Sequence, residues 1–293
     1  MSKYAGSLFG LIAFSLLAIH DVFVKLLSVH YLPFQIVFMA SLMAIPLALV
    51  ILPFFSDITS FKPVFPKLMI MRVIAMTLTS VSAFFAISSI PLTELYALLF
   101  SAPILITALS APILGEQVGW RRWLAVLFGF CGVLVVLQPT LSVPHLGHLG
   151  ALTAAFGIAF NSILLRKVGD KEQVALVLVY PLIGNVFIMG FISVFMYKPM
   201  PIEHLGLSFL VAVFSVIAMS LIIFAYRISK AVLVAPMQYS QIIWGSFLGW
   251  LFFAEKVEIH VLVGATIIIS SGFFIFVREA KKKIPASISQ RPI

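Results

Sequence analysis

The stretch Tyr96–Gln138, YALLFSAPILITALSAPILGEQVGWRRWLAVLFGFCGVLVVLQ, returns in outline about 139 residues later as AVLVAPMQYSQIIWGSFLGWLFFAEKVEIHVLVGATIIISSGFFIFV. Each copy is an apolar span, a short turn containing glutamate, and a second apolar span. At that offset Ser101 falls on Ser240, Leu109 on Leu248, Glu116 on Glu255 and Val118 on Val257, and a one-residue shift brings Gly132 onto Gly272. Identities are few. What repeats is the placing of helices, small residues and the turn carboxylate, so the chain is expected to fold as two related halves.

The spans decide the surroundings. With 62% of its 293 residues hydrophobic and 10% charged, the chain carries more apolar side chain than a core in water encloses, which predicts a polytopic protein of the lipid bilayer. The net charge of +9 does not point to nucleic acid, because the basic residues stand in short clusters between apolar spans rather than along one polar face. The single cysteine, Cys131, excludes an intramolecular disulfide and any cysteine-based metal cluster; beside Gly129 and Gly132 it suits a small packing residue. The first apolar run lacks a small-residue cleavage site and leads directly into further spans, so a retained first helix is expected.

At about 20 residues per crossing, the apolar runs place ten helices, at 6–27, 33–54, 68–88, 92–114, 121–138, 149–167, 174–196, 206–226, 232–253 and 259–277. The long uncharged run from Trp123 to Leu165 divides into two, because Gln138, Pro139, Pro144, Gly147 and Gly150 interrupt it where a bilayer face is needed. Pro33, Pro66 and Pro91 stand near the starts of spans, where a missing N–H is cheap. Pro46, Pro103, Pro112, Pro181 and Pro236 lie inside or near the ends of spans and mark expected kinks.

Ten crossings put both termini on one side, and the charges check this. With the N-terminus inside, 16 of the 19 Lys and Arg fall on inner segments, and the outer side keeps Lys25, Lys198 and Lys256. That bias agrees with the positive-inside rule. Five spans is an odd number, so the halves, 1–138 and 148–278 with a linker at 139–147 and a basic tail at 279–293, are expected to insert upside down relative to each other. Inverted repeats are a hallmark of secondary transporters, whose sites lie near the midplane between the halves. The fold class expected is therefore an all-α membrane protein of ten helices in two inverted five-helix repeats.

On HDVFVKLL at 20–27, LLFSAPILITALSAPILGEQVGWRRWLAVLFGFCGVLVVLQP at 98–139 and VLVAPMQYSQIIWGSFLGWLFFAEKVEIHVLVGATIIISSGFFIFVRE at 232–279, the chain resembles the drug/metabolite transporter superfamily, as a protein with two EamA-type repeats. It looks closest to the bacterial branch that includes riboflavin and S-adenosylmethionine importers beside amino-acid and metabolite exporters. The resemblance implies a ten-helix bundle in a bacterial inner membrane, with a central cavity opening alternately to each side. It implies a small-molecule substrate without saying which one, and no cofactor.

The polar groups inside the spans supply the candidate site. The first span carries His20, Asp21 and Lys25, and an ionised side chain near a helix centre costs about 2.5–3.5 kcal/mol on insertion scales, so such groups face a cavity or a partner. Asp21 and Lys25 have the favourable acid-first spacing of four. Two readings stay open: a structural pair with Lys25 reaching the headgroups, or contact with substrate or a coupling proton. Aligning Gly10 with Gly150 sets Asp21 opposite Asn161, which makes Asn161 and Ser162 cavity candidates, while Arg166 and Lys167 read as inner-face anchors. Glu94 begins the fourth span, where it either caps the helix dipole or carries a coupling proton.

In the ninth span Gln238, Gln241 and Gly245 share one stripe beside Tyr239 and Trp244, and amides between aromatic walls suit a flat polar metabolite. Hydrogen bonding between helices is the alternative use of such glutamines. Tyr96, Phe100 and Ser101 occupy the echo of this segment in the fourth span; Tyr180, Asn185 and Tyr226 are weaker candidates. Gly245 with Gly249, and Gly115 with Gly119, offer close helix contact within the protomer or in a homodimer. His145 and His148 form an HxxH that lacks a third ligand and reads as solvated loop rather than metal site. With no HExxH, GxSxG or Walker sequence, the expectation is a secondary transporter of a small polar or aromatic metabolite, amino acid or vitamin-like, working by alternating access. Uptake rather than efflux, a membrane enzyme on lipid-linked substrates, and a channel are the alternatives.

Overall fold

The computed structural model describes residues 5–51, 62–115, 119–138, 146–168, 172–229 and 231–282, and its regular structure there is helical. In lipid each backbone group must be satisfied within its own segment, which leaves apolar runs of this length no other regular form. The helices are α1 (Ala5–Ser28), α2 (Pro33–Ile51), α3 (Pro66–Ser89), α4 (Leu92–Leu99), α5 (Ala102–Leu114), α6 (Trp120–Leu137), α7 (Leu146–Val168), α8 (Val174–Val194), α9 (Ile202–Ile228), α10 (Ala231–Val234), α11 (Ser240–Phe253) and α12 (Ile259–Lys282), with a 3-10 turn, Ala235–Tyr239, between α10 and α11. Among the described residues, eight spans are long and apolar enough to cross a membrane, α4 and α5 counting as one. The turn-linked pair α10–α11 and the apolar stretch Ile259–Ile275 of α12 complete ten.

The contacts between helices are symmetric under exchange of the halves. The α1–α9 contact has its counterpart in α7–α3, α1–α11 in α7–α5, and α2–α9 in α8–α3. The contacts α2–α8 and α6–α12 map onto themselves. Few shared residues thus suffice to specify a shared plan, because each half supplies the faces that the other half needs.

The fourth and ninth spans are not continuous. The fourth breaks between α4 and α5, where Phe100 and Ser101 hold φ near −70° with ψ of −4° and −15°, and the ninth passes through the 3-10 turn before α11. The breaks fall at equivalent positions: Ser101 Oγ donates to Leu98 O at 2.7 Å, and Ser240 Oγ donates to Met237 O at 2.7 Å. In each case a serine hydroxyl takes the carbonyl three residues back, and the tighter winding interrupts the α-helical ladder. Of the expected kinks, Pro103 and Pro236 lie at these breaks, whereas Pro46, Pro112 and Pro181 stand inside continuous helices. Gly115 ends α5 at φ 68°, a left-handed conformation that glycine adopts freely; Glu116, its neighbour in the turn, lies outside the described residues.

Arg72 stands in the second turn of α3. It is 2% exposed, and its Nε donates to Asn161 Oδ1 at 3.0 Å while Nη2 donates to Val177 O at 3.3 Å, which ties α3 to α7 and α8. Close by, the buried Glu172 carboxylate accepts the N–H of Val64 at 3.0 Å and of Phe65 at 3.3 Å, capping the start of α3. A guanidinium so placed is held by fixed neutral acceptors.

Candidate functional site

The two helix breaks meet. The rings of Phe100 and Tyr239, which occupy equivalent positions in the two halves, pack edge to face with centroids 5.1 Å apart. Phe100 is buried, and every residue from Ala235 to Ser240 is half-buried. Discontinuous helices that meet between repeats bring interrupted backbone and side chains to the same depth, which is how many transporters build a substrate site.

One turn before its break, α4 presents Tyr96, 1% exposed. Its hydroxyl donates to Asp21 Oδ2 at 2.6 Å, and the other oxygen of Asp21 accepts from His20 Nδ1 at 2.8 Å. The Tyr96 ring packs against Gly245 of α11, where a Cβ would stand 2.5 Å from two ring carbons. The glycine is required by this close approach, and the GxxxG acts inside the protomer at this point. Thr93 Oγ1 donates to Ser246 Oγ at 3.2 Å beside it. Asp21 and Tyr96 therefore link α1 and α4 to α11 at Gly245, and Phe100 with Tyr239 joins the two breaks one turn further along α4.

Lys25 belongs to a different group. Its Nζ pairs with Glu255 Oε1 and donates to Ile90 O at 2.8 Å, and it stands 5.3 Å from the centre of the Phe253 ring. Glu255 Oε2 accepts the N–H of Leu92 at 2.9 Å, at the first turn of α4, where the helix dipole favours negative charge. The expected Asp21–Lys25 pair is thus replaced by two separate partnerships. The reason is geometric: Glu255 is fixed by the turn after α11, with its own N–H bonded to Gly249 O at 3.1 Å, and offers Lys25 a carboxylate already organised by a helix end. The resulting clamp joins the last turn of α1, the start of α4 and the end of α11, with side chains 15% and 11% exposed.

The remaining expected residues divide. Gln241 is 8% exposed and makes no side-chain hydrogen bond among the described residues, and Gln238, Trp244 and Tyr239 are half-buried on the same segment. Burial of an amide without protein partners leaves both donor and acceptor for something else. Ser101 is buried, with its hydroxyl spent on its own turn. Asn161 is drawn to Arg72, and Ser162 Oγ bonds back to Ile158 O at 2.8 Å, so this pair sits apart from the Asp21 group.

Glu94 lies in the first turn of α4, and its Oε2 meets His148 Nε2 at 2.8 Å. His148 therefore stands in α7 and half-buried, not in a solvated loop; His145 lies outside the described residues. Of the weaker candidates, Asn185 donates to Ser41 Oγ at 3.2 Å between α8 and α2. Lys167 is exposed, and the side chain of Arg166 lies outside what is described.

Away from the site, Tyr31 in the turn before α2 lies 2.7 Å, hydroxyl to Nδ1, from His204, whose ring stacks on His30 at 4.8 Å. Burial, with the nearby Tyr197 hydroxyl, pushes the Tyr31 phenol above its ordinary value. A groove of about 590 Å³ runs between α6 and α12, lined by Trp120, Arg121, Leu124, Phe128, Ser270 and Phe274 among others, and touches none of the site residues.

Glu255, which pairs with Lys25 and accepts the Leu92 N–H, is the residue of this region that sequence reasoning left without a role. Its signal was present as the turn carboxylate repeated at Glu116, but spacing alone does not reveal the cation that it meets. His20 was noticed with Asp21 and had no assignment.

Residues 4–138 and 145–277 each match the EamA-like transporter family. The chain is 24% identical over 264 residues to the S-adenosylmethionine uptake transporter of Rickettsia bellii, covering 89% of this chain and 90% of that one. It is 30% identical over 198 residues to the riboflavin transporter of Vibrio cholerae, covering 66% of this chain and 65% of that one. An uncharacterized transporter of Helicobacter pylori is 27% identical over 280 residues, 90% of this chain and 93% of that one. A solved crystal structure of another protein superposes with a TM-score of 0.62 at 16% identity, covering 96% of this chain and all of that one, which shows a shared fold.

Proposed function

The chain belongs to the EamA-like transporter family, and on that premise we propose that it is a secondary transporter that carries a flat, polar metabolite by alternating access, with its site where the two helix breaks meet. It is a multi-pass membrane transporter of small metabolites rather than an enzyme. The observation that carries the finer reading is the meeting of the breaks at Phe100 and Tyr239, with Gln241, whose amide makes no hydrogen bond among the described residues, two positions further on. Tyr239, Trp244 and Phe100 supply ring faces, and Gln238 and Gln241 supply a donor and an acceptor apiece.

We take the direction as uptake, following the Rickettsia relative. The Lys25–Glu255 clamp then closes the outer end, and Asp21 stands about two turns of helix below the end of α1. Rocking of one half against the other opens each side in turn.

Counterflow into proteoliposomes tests this, with labelled S-adenosylmethionine, riboflavin and aromatic amino acids offered one at a time. Saturable exchange is expected for at least one of them, and Gln241→Ala should raise its KM by about three- to tenfold, the worth of one hydrogen bond. A folded protein showing downhill flux without exchange would be a channel; unchanged kinetics in Gln241→Ala would remove the amide from the site.

A further inference from the structure

The groove between α6 and α12 lies on the outside of the bundle, where its Leu124, Phe128 and Phe274 side chains are exposed to lipid. The two helices run antiparallel there: Ser271 Oγ donates to Ala125 O, and Gly132 packs on Ile268. Trp120 and Arg121, the first two residues of α6, therefore mark the end of the groove at one membrane surface. Leu124 and Phe128 follow one and two turns deeper, at about 1.5 Å of rise per residue.

Two polar side chains of the groove lack the partner that their surroundings call for. Arg121 is exposed and makes no ion pair or side-chain hydrogen bond among the described residues; its Cζ stands 5.3 Å from the centre of the Trp120 ring, a contact that leaves its donors unspent. Ser270 sits beside Ser271 at the depth of Ala125, about one turn below Arg121, and its hydroxyl makes no hydrogen bond among the described residues. In this it differs from Ser162, Ser220, Ser246 and, on the same helix, Thr266, each of which bonds back to the carbonyl four residues earlier. A hydroxyl at that depth has no water to turn to.

From the surface inward the order is cation, hydroxyl, apolar wall. A phospholipid presents phosphate, glycerol ester and acyl chain in the same order. A second copy of this chain fits the face less well, because a two-fold interface would bring a second Arg121 to the rim and no carboxylate from the residues that line the groove.

We propose that the groove binds one anionic diacyl phospholipid, with its phosphate on Arg121, its glycerol ester on Ser270 Oγ and one acyl chain along Leu124, Phe128 and Phe274. The basic clusters of the sequence put this end of α6 on the inner side, and basic pockets between helices on that side receive anionic headgroups. The site shares no residue with the helix breaks, so it stands independently of the transport reading.

Titration of the purified protein in detergent with dioleoyl phosphatidylglycerol or dioleoyl phosphatidylcholine, read by mass spectrometry of the intact complexes, tests the site. The two probes share their chains and esters and differ in net charge. One phosphatidylglycerol per protomer is expected to bind about tenfold more tightly than phosphatidylcholine, the worth of one charge-assisted contact. Arg121→Gln should bring the two lipids to the same affinity, and Arg121→Lys, which keeps the charge, should retain most of the preference. Ser270→Ala should weaken both lipids by about threefold, because the ester is common to them. Lys67→Gln, which removes an exposed cation from the start of α3, should change neither.

Arg121 and Ser270 are both exposed, so these variants leave the packing of α6 on α12 in place. Equal retention of the two lipids, a preference that survives Arg121→Gln, an equal loss in Lys67→Gln, or Ser270→Ala without effect would each overturn the proposal. Displacement of the lipid by inorganic phosphate would overturn it as well, and so would complexes of two protein copies in place of the lipid complex.

Discussion

Lys25→Met is expected to destabilise the protein by about 3–5 kcal/mol, the cost of stripping one member from a buried ion pair and leaving the other charged and unmatched. Glu255 would keep the Leu92 N–H and lose its cation, and Ile90 O would lose its donor. Thermal unfolding in nanodiscs, read as a shift in midpoint and calibrated with milder variants, measures the loss. The double variant Lys25→Met with Glu255→Gln removes both charges and should recover most of the stability, because a neutral amide can still accept the helix N–H. Losses that simply add in the double variant would mean that the two residues are not coupled. In transport, the double variant should also open the α1–α4–α11 end more readily, detectable as faster labelling of a cysteine placed at Tyr239 in a Cys131→Ser background.

The second large effect is expected at Gly245. Alanine there would place a Cβ 2.5 Å from the Tyr96 ring and 3.4 Å from Leu92 O, so either α11 withdraws from α4 or the ring turns away from Asp21. Overpacking of this kind costs about 1–3 kcal/mol, and counterflow should fall by about tenfold, a change of about 1.4 kcal/mol, as the site loses its geometry. Tyr96→Phe separates the causes: it keeps the ring against Gly245 and deletes the bond to Asp21. If Gly245→Ala unfolds and exchanges solute as the wild-type protein does, the close approach has no functional weight.

The two-half plan was legible because the features that encode it are long. An apolar run of about 20 residues has one regular fate in lipid, and the echo of Ser101 in Ser240 and of Glu116 in Glu255 survives low identity. The helix breaks were legible only in part, because Pro103 and Pro236 were two of five expected kinks and Pro46, Pro112 and Pro181 stand inside continuous helices. Pro103 follows one break and Pro236 lies within the other, so the breaker residue does not recur at equivalent positions and leaves no repeated signal. Ser101 and Ser240 do recur, but a serine inside a span reads equally well as a pocket hydroxyl.

Partners distant in sequence were also hidden. The acid-first spacing of Asp21 and Lys25 favours a local pair, whereas the carboxylate that Lys25 meets is 230 residues away. Arg72 stands six residues into α3, where the positive-inside count assigns it to an inner segment, and nothing local announces that Asn161 of α7 meets it. The candidate residues of the ninth span lie on one segment, so their pattern, an amide stripe next to two aromatics, is visible without a distant partner.

Phe100 and Tyr239 are each other's image under exchange of the halves, so the contact between them maps onto itself. The Lys25–Glu255 bolt has no such property, since the same exchange would carry its position to the far end of the bundle. If the halves trade shapes, the middle of the molecule is a fulcrum that contributes almost equally to both forms. The energy separating those forms then resides in the fastenings at the two rims, where a single charge can tilt the balance.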